Sequence, residues 1–107
     1  MADFHQPETV ATLHCLRRER LAEMAEHGQK PEIMIVACCD SRVSPEVIFD
    51  ARPGELFVVR NVANLVPRAD SGDDSVGAAI EYCLDHLGVD DIVVCGHTGC
   101  AGIAAAR

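Results

Sequence analysis

The segment Cys38-Cys39-Asp40-Ser41-Arg42 places two thiols, a carboxylate and a guanidinium within five positions, directly after an apolar run at 33–37. Far along the chain, Gly96-His97-Thr98-Gly99-Cys100 follows a second apolar run, Ile92-Val93-Val94-Cys95. If both runs are strands, their ends offer Cys38, His97 and Cys100 to one point in space. Such a Cys₂His set is the donor pattern of catalytic zinc, because three protein ligands leave the fourth tetrahedral position open. Two thiolates and a neutral imidazole make the site formally neutral, so water there is acidified less than by three imidazoles. A neighbouring carboxylate that accepts its hydrogen bond then helps, and Asp40 is the candidate, held by a bidentate contact from Arg42. Released by Arg42, Asp40 could instead become a fourth ligand and close the site.

The elements that must position these groups are legible in the pattern. Pro7-Glu8-Thr9 opens a helix running to about His27, with Val10, Leu13, Leu21, Met24 and Ala25 toward one side and Gly28 as its stop. Either a core or a partner subunit could cover that side. After a turn at Gln29-Lys30-Pro31, residues 32–38 read as a continuous apolar strand, as in a parallel sheet covered on both faces. Ser44 caps a short helix with Pro45 at its first position, and Leu56-Phe57-Val58-Val59 forms the second strand. A polar loop at 68–74 precedes the clearest helix, where Val76, Ala79, Ile80, Cys83, Leu84 and Leu87 recur at three and four residues until Gly88. Strand three is 92–95, and 99–107 begins a last helix. Alternation of this kind predicts an α/β fold, a three-layer, Rossmann-like parallel sheet flanked by helices, with sites beyond the carboxyl ends of the strands. The chain divides into an N-terminal helical arm (1–28) and an α/β core (29–107) within one domain.

At 107 residues the chain suits one domain of modest core. It has no Trp, one Tyr and three Phe, so the core is built from aliphatic residues. The net charge of −8 argues against a nucleic-acid partner. No apolar run approaches bilayer length, and Met1-Ala2-Asp3-Phe4-His5 lacks the features of a secretory leader, so the expectation is a cytoplasmic chain with no membrane partner. The six cysteines are then reduced thiols, with Cys15, Cys83 and Cys95 as packing residues. Cys39, facing away from Cys38, is expected to pack, and His5, His14, His27 and His86 carry no assigned role.

Four segments carry a resemblance: Cys38-Cys39-Asp40-Ser41-Arg42-Val43, 60–67 (Arg-Asn-Val-Ala-Asn-Leu-Val-Pro), Gly77-Ala78-Ala79-Ile80-Glu81-Tyr82, and Gly96-His97-Thr98-Gly99-Cys100. In this order they resemble the β-class carbonic anhydrases. The resemblance implies one zinc ion per chain, held by Cys38, His97 and Cys100, with Asp40 and Arg42 as a catalytic dyad. It also implies substrate contacts from Gln29, Phe57, Val62 and Tyr82, shared across a dimer interface, and from the backbone N–H of Ala101, where the family usually has Gly. The reaction implied is reversible hydration of carbon dioxide to bicarbonate and a proton.

Family members are about twice as long, and what is missing follows Cys100. The edge of strand three is therefore expected to be bare, which favours a homodimer or larger assembly that covers it, or else a poorly stable fragment. Two further readings keep the metal site: a catalytically silent zinc-binding structural or interaction module, and a carbon disulfide-type hydrolase.

Overall fold

The computed structural model describes residues 7–105, with side chains from residue 17 onward, so Cys15, His5 and His14 lie outside the side chains described. Its centre is strand β1 (Ile33–Cys38), flanked by β2 (Leu56–Asn61) and β3 (Asp91–Cys95) in a parallel sheet of order β2-β1-β3. Ile33 is level with both Leu56 and Asp91, and Ala37 with both Arg60 and Cys95. The three carboxyl ends therefore lie side by side. Because β2 and β3 were added on opposite sides of β1, the strand order reverses between β1 and β3, and crevices open at such switch points.

The sheet forms around β1 because every residue from Met34 to Ala37 is 0–1% exposed. Met34 and Val36, two apart and so on one face, pack with Val76, Cys83 and Val89, and with the partly buried Phe57, Val59, Ala79, Ile80 and Leu87. The helix that supplies Val76, Ala79 and Ile80, α3 (Ser75–Tyr82), starts where the Asp73 carboxylate accepts bonds from the Ser75 N–H (3.1 Å) and hydroxyl (2.8 Å). Those bonds lower the Asp73 pKa. At Cys83–Leu87 the helix widens into a π-helical turn, and Gly88, at φ +64°, stops it as the sequence predicts. The Cys83 thiol is buried there, which pushes its pKa up.

Several local expectations need correction. Strand β2 continues two residues beyond Val59, because Arg60 and Asn61 stay paired with Ala37 and Cys38. Ser44 stands at the N-cap of α2 (Pro45–Ile48), but its hydroxyl bonds the Glu46 carboxylate (3.2 Å) rather than a backbone N–H. Cys39 is exposed, not packed, since β1 ends one residue before it. Cys95 is only half-buried, at the end of the edge strand β3. Residues 41–43 form a 3₁₀ turn that apolar periodicity does not report.

Helix α1 (Pro7–His27) shows an almost wholly exposed surface over 17–27, with Leu21 exposed and Met24 half-buried. Its described contacts are few: Arg20 Nε donates to the Pro53 carbonyl (3.1 Å), and Met24 reaches Gly54. The radius of gyration, 16.4 Å, exceeds the roughly 13 Å of a compact chain of this length. No helix among the described residues is long and apolar enough to cross a membrane. His27 and His86 are exposed.

Because Met34 is completely buried in the central strand, Met34→Ala should destabilise the fold by about 2–5 kcal/mol. Urea unfolding followed by circular dichroism measures this, and a loss below about 1 kcal/mol would show that β1 is not the packed centre.

Candidate metal centre

Each candidate ligand stands at a strand end for a local reason. β1 carries Cys38 to the carboxyl edge, where Asp40 turns the chain by accepting the backbone N–H of Arg42 (2.9 Å). β3 leads through Gly96 to His97, and Gly99, at φ +66°, folds Cys100 back just ahead of α4 (Ala101–Ala105). The ligand atoms of Cys38, His97 and Cys100 all lie within 4.8 Å of one another. The two sulfurs are 3.9 Å apart, close to the roughly 3.8 Å that two 2.3 Å zinc–sulfur bonds at a tetrahedral angle would give.

His97 is oriented for the same purpose. Its Nδ1 lies 2.9 Å from the Thr98 carbonyl, and a carbonyl can only accept, so Nδ1 carries the hydrogen and Nε2 offers its lone pair. The side chain is 8% exposed, yet Nε2 is buried without a hydrogen-bond partner among the described residues. A buried polar atom left unpaired is costly, and a metal facing two thiols would satisfy it. The donor set therefore fits zinc. Cys38 is prepared as a thiolate: the Asp40 backbone N–H, then His97, then the Ala63 N–H lower its pKa to about 6. The His97 pKa is raised, first by the Cys38 sulfur.

Around this cluster runs a frame of charge-assisted hydrogen bonds. Arg42 clasps Asp40 in bidentate fashion, Nε to Oδ1 at 2.9 Å and Nη2 to Oδ2 at 2.6 Å. That clasp holds the Asp40 carboxyl well below the usual carboxylate range. Asp40 Oδ2 lies 3.9 Å from His97 Nε2, and Arg42 Nη2 also reaches the Gly99 carbonyl (3.4 Å), linking the two loops. Arg60 donates to the carbonyls of Cys38 (2.9 Å) and Asp40 (2.7 Å). Asn61 closes the next turn by bonding both the N–H (2.6 Å) and the carbonyl (2.8 Å) of Leu65. Within that turn Ala63 and Asn64 adopt positive φ, +72° and +45°, and the Ala63 N–H points at Cys38 Sγ (3.4 Å).

The remaining residues implied by the resemblance fall in two places. Val62, 64% exposed, and Ala101, the first residue of α4, border the cluster through the Ala63 turn and Cys100. Gln29 lies before the amino end of β1, an end separated from Cys38 by about 16 Å of strand rise, in a cavity of about 260 Å³ with Arg20, Met24 and Gly54. Phe57 is level with Met34, four residues short of Cys38, and its ring lies 5.9 Å from that of Tyr82. The three do not meet their own chain's cluster. Arg60, Asn61 and Ala63 received no individual role from the sequence. Two polar residues ending an apolar strand were the signal that could have marked them.

Cys38, His97 and Cys100 at the switch point of a parallel α/β sheet, with a clasped carboxylate beside them, have the donor layout of a catalytic metal site. The family model described as "Carbonic anhydrase" matches residues 33–107. A carbonic anhydrase of Pseudomonas aeruginosa is 44% identical over 88 residues, covering 82% of this chain and 40% of that protein. One from a Synechocystis strain is 42% identical over 83 residues, 78% of this chain and 30% of that protein. Among solved structures, the tetrameric β-carbonic anhydrases of Sordaria macrospora superpose with a TM-score of 0.76 at 37% identity, over 92% of this chain and 49% of that one. The chain belongs to the carbonic anhydrase family, in its β class, and spans less than half the length of these relatives.

Arg60 ties down both residues that flank Cys39, so Arg60→Met should loosen the Cys38 loop. The expected outcome is a zinc affinity 10- to 100-fold weaker, measured by competition with a chromophoric chelator. Unchanged affinity would mean that the backbone holds Cys38 without it.

Proposed function

We propose that this chain catalyses the reversible hydration of carbon dioxide, with one zinc ion held by Cys38, His97 and Cys100. The observation that carries this reading is the convergence of two thiols on an unpartnered, buried imidazole nitrogen beside a fixed carboxylate. Zinc, when bound, supplies the Lewis acidity that makes water a nucleophile near neutral pH. Asp40, kept ionised by Arg42, can only accept a hydrogen bond, so it orients a proton-bearing group and does not donate to it. The same clasp opposes the alternative in which Asp40 becomes a fourth ligand, since two bonds must break first. Val62 would supply an apolar wall suited to carbon dioxide, and the N–H of Ala101, at the first position of α4 where helical N–H groups have no intrahelical acceptor, would hold a bicarbonate oxygen.

Gln29, Phe57 and Tyr82 can serve a metal centre only if another chain brings them, so this reading entails a homodimer or a larger homo-oligomer. Supporting it are the exposed apolar side chains Val47, Phe49, Val62 and Leu65, and the uncovered β3 edge with Val94 53% exposed. The Sordaria relatives are tetrameric by description. The five free thiols among the described side chains suit a reducing compartment such as the cytoplasm. A second reading, a silent zinc-binding module, keeps the three ligands without the substrate contacts, and the distance of Gln29, Phe57 and Tyr82 from this chain's own cluster favours it.

Stopped-flow hydration assays on zinc-loaded protein separate the two: turnover supports the first reading, and stoichiometric zinc without turnover selects the second. Asp40→Ala should lower turnover about 10- to 100-fold with zinc retained, whereas Cys100→Ser should lose the metal. Equal zinc loss in both variants would make Asp40 a permanent ligand. Light scattering should report a dimer or larger species, and a stable, active monomer would contradict the shared site.

A further inference from the structure

We infer that Gly102 is a positioning residue for the metal centre: its missing side chain sets how closely α4 approaches the Ala63 turn, and so holds the Cys38 and Cys100 sulfurs within reach of one ion. A Cβ at position 102 would lie 2.6 Å from Val62 Cγ1, 3.1 Å from Ala63 Cβ and 3.2 Å from the Ala63 nitrogen. Ordinary carbon contacts are about 3.5–4.0 Å. Val62 is exposed and can turn aside, but Ala63 cannot. It is 3% exposed, sits at φ +72°, and its N–H is directed at Cys38 Sγ.

Two ligands hang on this one contact. Cys100 is two residues before Gly102, so pushing α4 outward moves Cys100. Pushing the turn instead withdraws the Ala63 N–H from Cys38. Either displacement alters the 3.9 Å sulfur separation. The φ of Gly102 is not among the positive values, so an alanine there meets no backbone penalty, and helix propensity alone would favour it. The direction of the effect therefore separates positioning from helix formation.

The inference rests on the zinc reading for one of its two measurements only. In Gly102→Ala, zinc affinity by chelator competition should fall 10- to 100-fold. In the metal-free chain, the Ala63 amide resonance should shift in ¹H–¹⁵N spectra. Adding Ala63→Gly removes the 3.1 Å contact and places at φ +72° a residue that accepts it, so the double variant should regain part of the lost affinity. Wild-type affinity with an unmoved Ala63 amide in Gly102→Ala would overturn the inference, as would a loss that Ala63→Gly leaves undiminished. If Gly102→Ala does not fold, restoration of the fold by Ala63→Gly supports it and continued unfolding overturns it. A wild-type chain that binds no zinc defeats the zinc reading, and the Ala63 amide still decides the role of Gly102.

Discussion

Everything in this molecule depends on the parallel register that sets Ala37 level with both Arg60 and Cys95. Register is specified where a strand's side chains pack into a core, since a slip of one residue moves every side chain to the opposite face. Met34 and Val36 face the α3 core, and their burial pins β1. Once that strand is fixed, its carboxyl end and that of β3 are adjacent, and the loops that follow have little freedom in where they put a thiol or an imidazole. The site is a consequence of hydrophobic packing several residues away.

Packing alone would leave the loops loose, and polar bonds finish the work. Arg60 gathers the carbonyls on both sides of Cys39, Arg42 joins Asp40 to the Gly99 carbonyl, and Asn61 closes the turn that aims the Ala63 N–H at Cys38. Each bond acts on backbone or on a ligand's neighbour, which is how outer groups orient a metal's own ligands. The cost is visible in Ala63 and Asn64, two non-glycine residues held at positive φ.

The sequence was legible where a single period dominates. The run at 33–38, the three-and-four spacing of Val76, Ala79, Ile80 and Cys83, and the stop at Gly88 all lead to the elements found. The convergence of Cys38, His97 and Cys100 was legible because thiol and imidazole at strand ends have few structural uses. Illegible were features set by tertiary contacts: the extension of β2 through Arg60 and Asn61, the exposure of Cys39, and the closeness of Gly102 to Ala63. In those places a polar or small residue is chosen by what lies across from it, and one-dimensional spacing carries no record of that. The separation of Gln29, Phe57 and Tyr82 from the cluster is of the same kind, since it follows from which end of the sheet each occupies.

The central claim is that Cys38, His97 and Cys100 share one zinc ion. X-ray absorption at the zinc edge of the metal-loaded chain tests it most directly. The account predicts two sulfurs at about 2.3 Å and one imidazole nitrogen at about 2.0–2.1 Å, with a further light atom completing four-coordination. A shell of nitrogen and oxygen alone, or a chain that takes up no zinc, would contradict it.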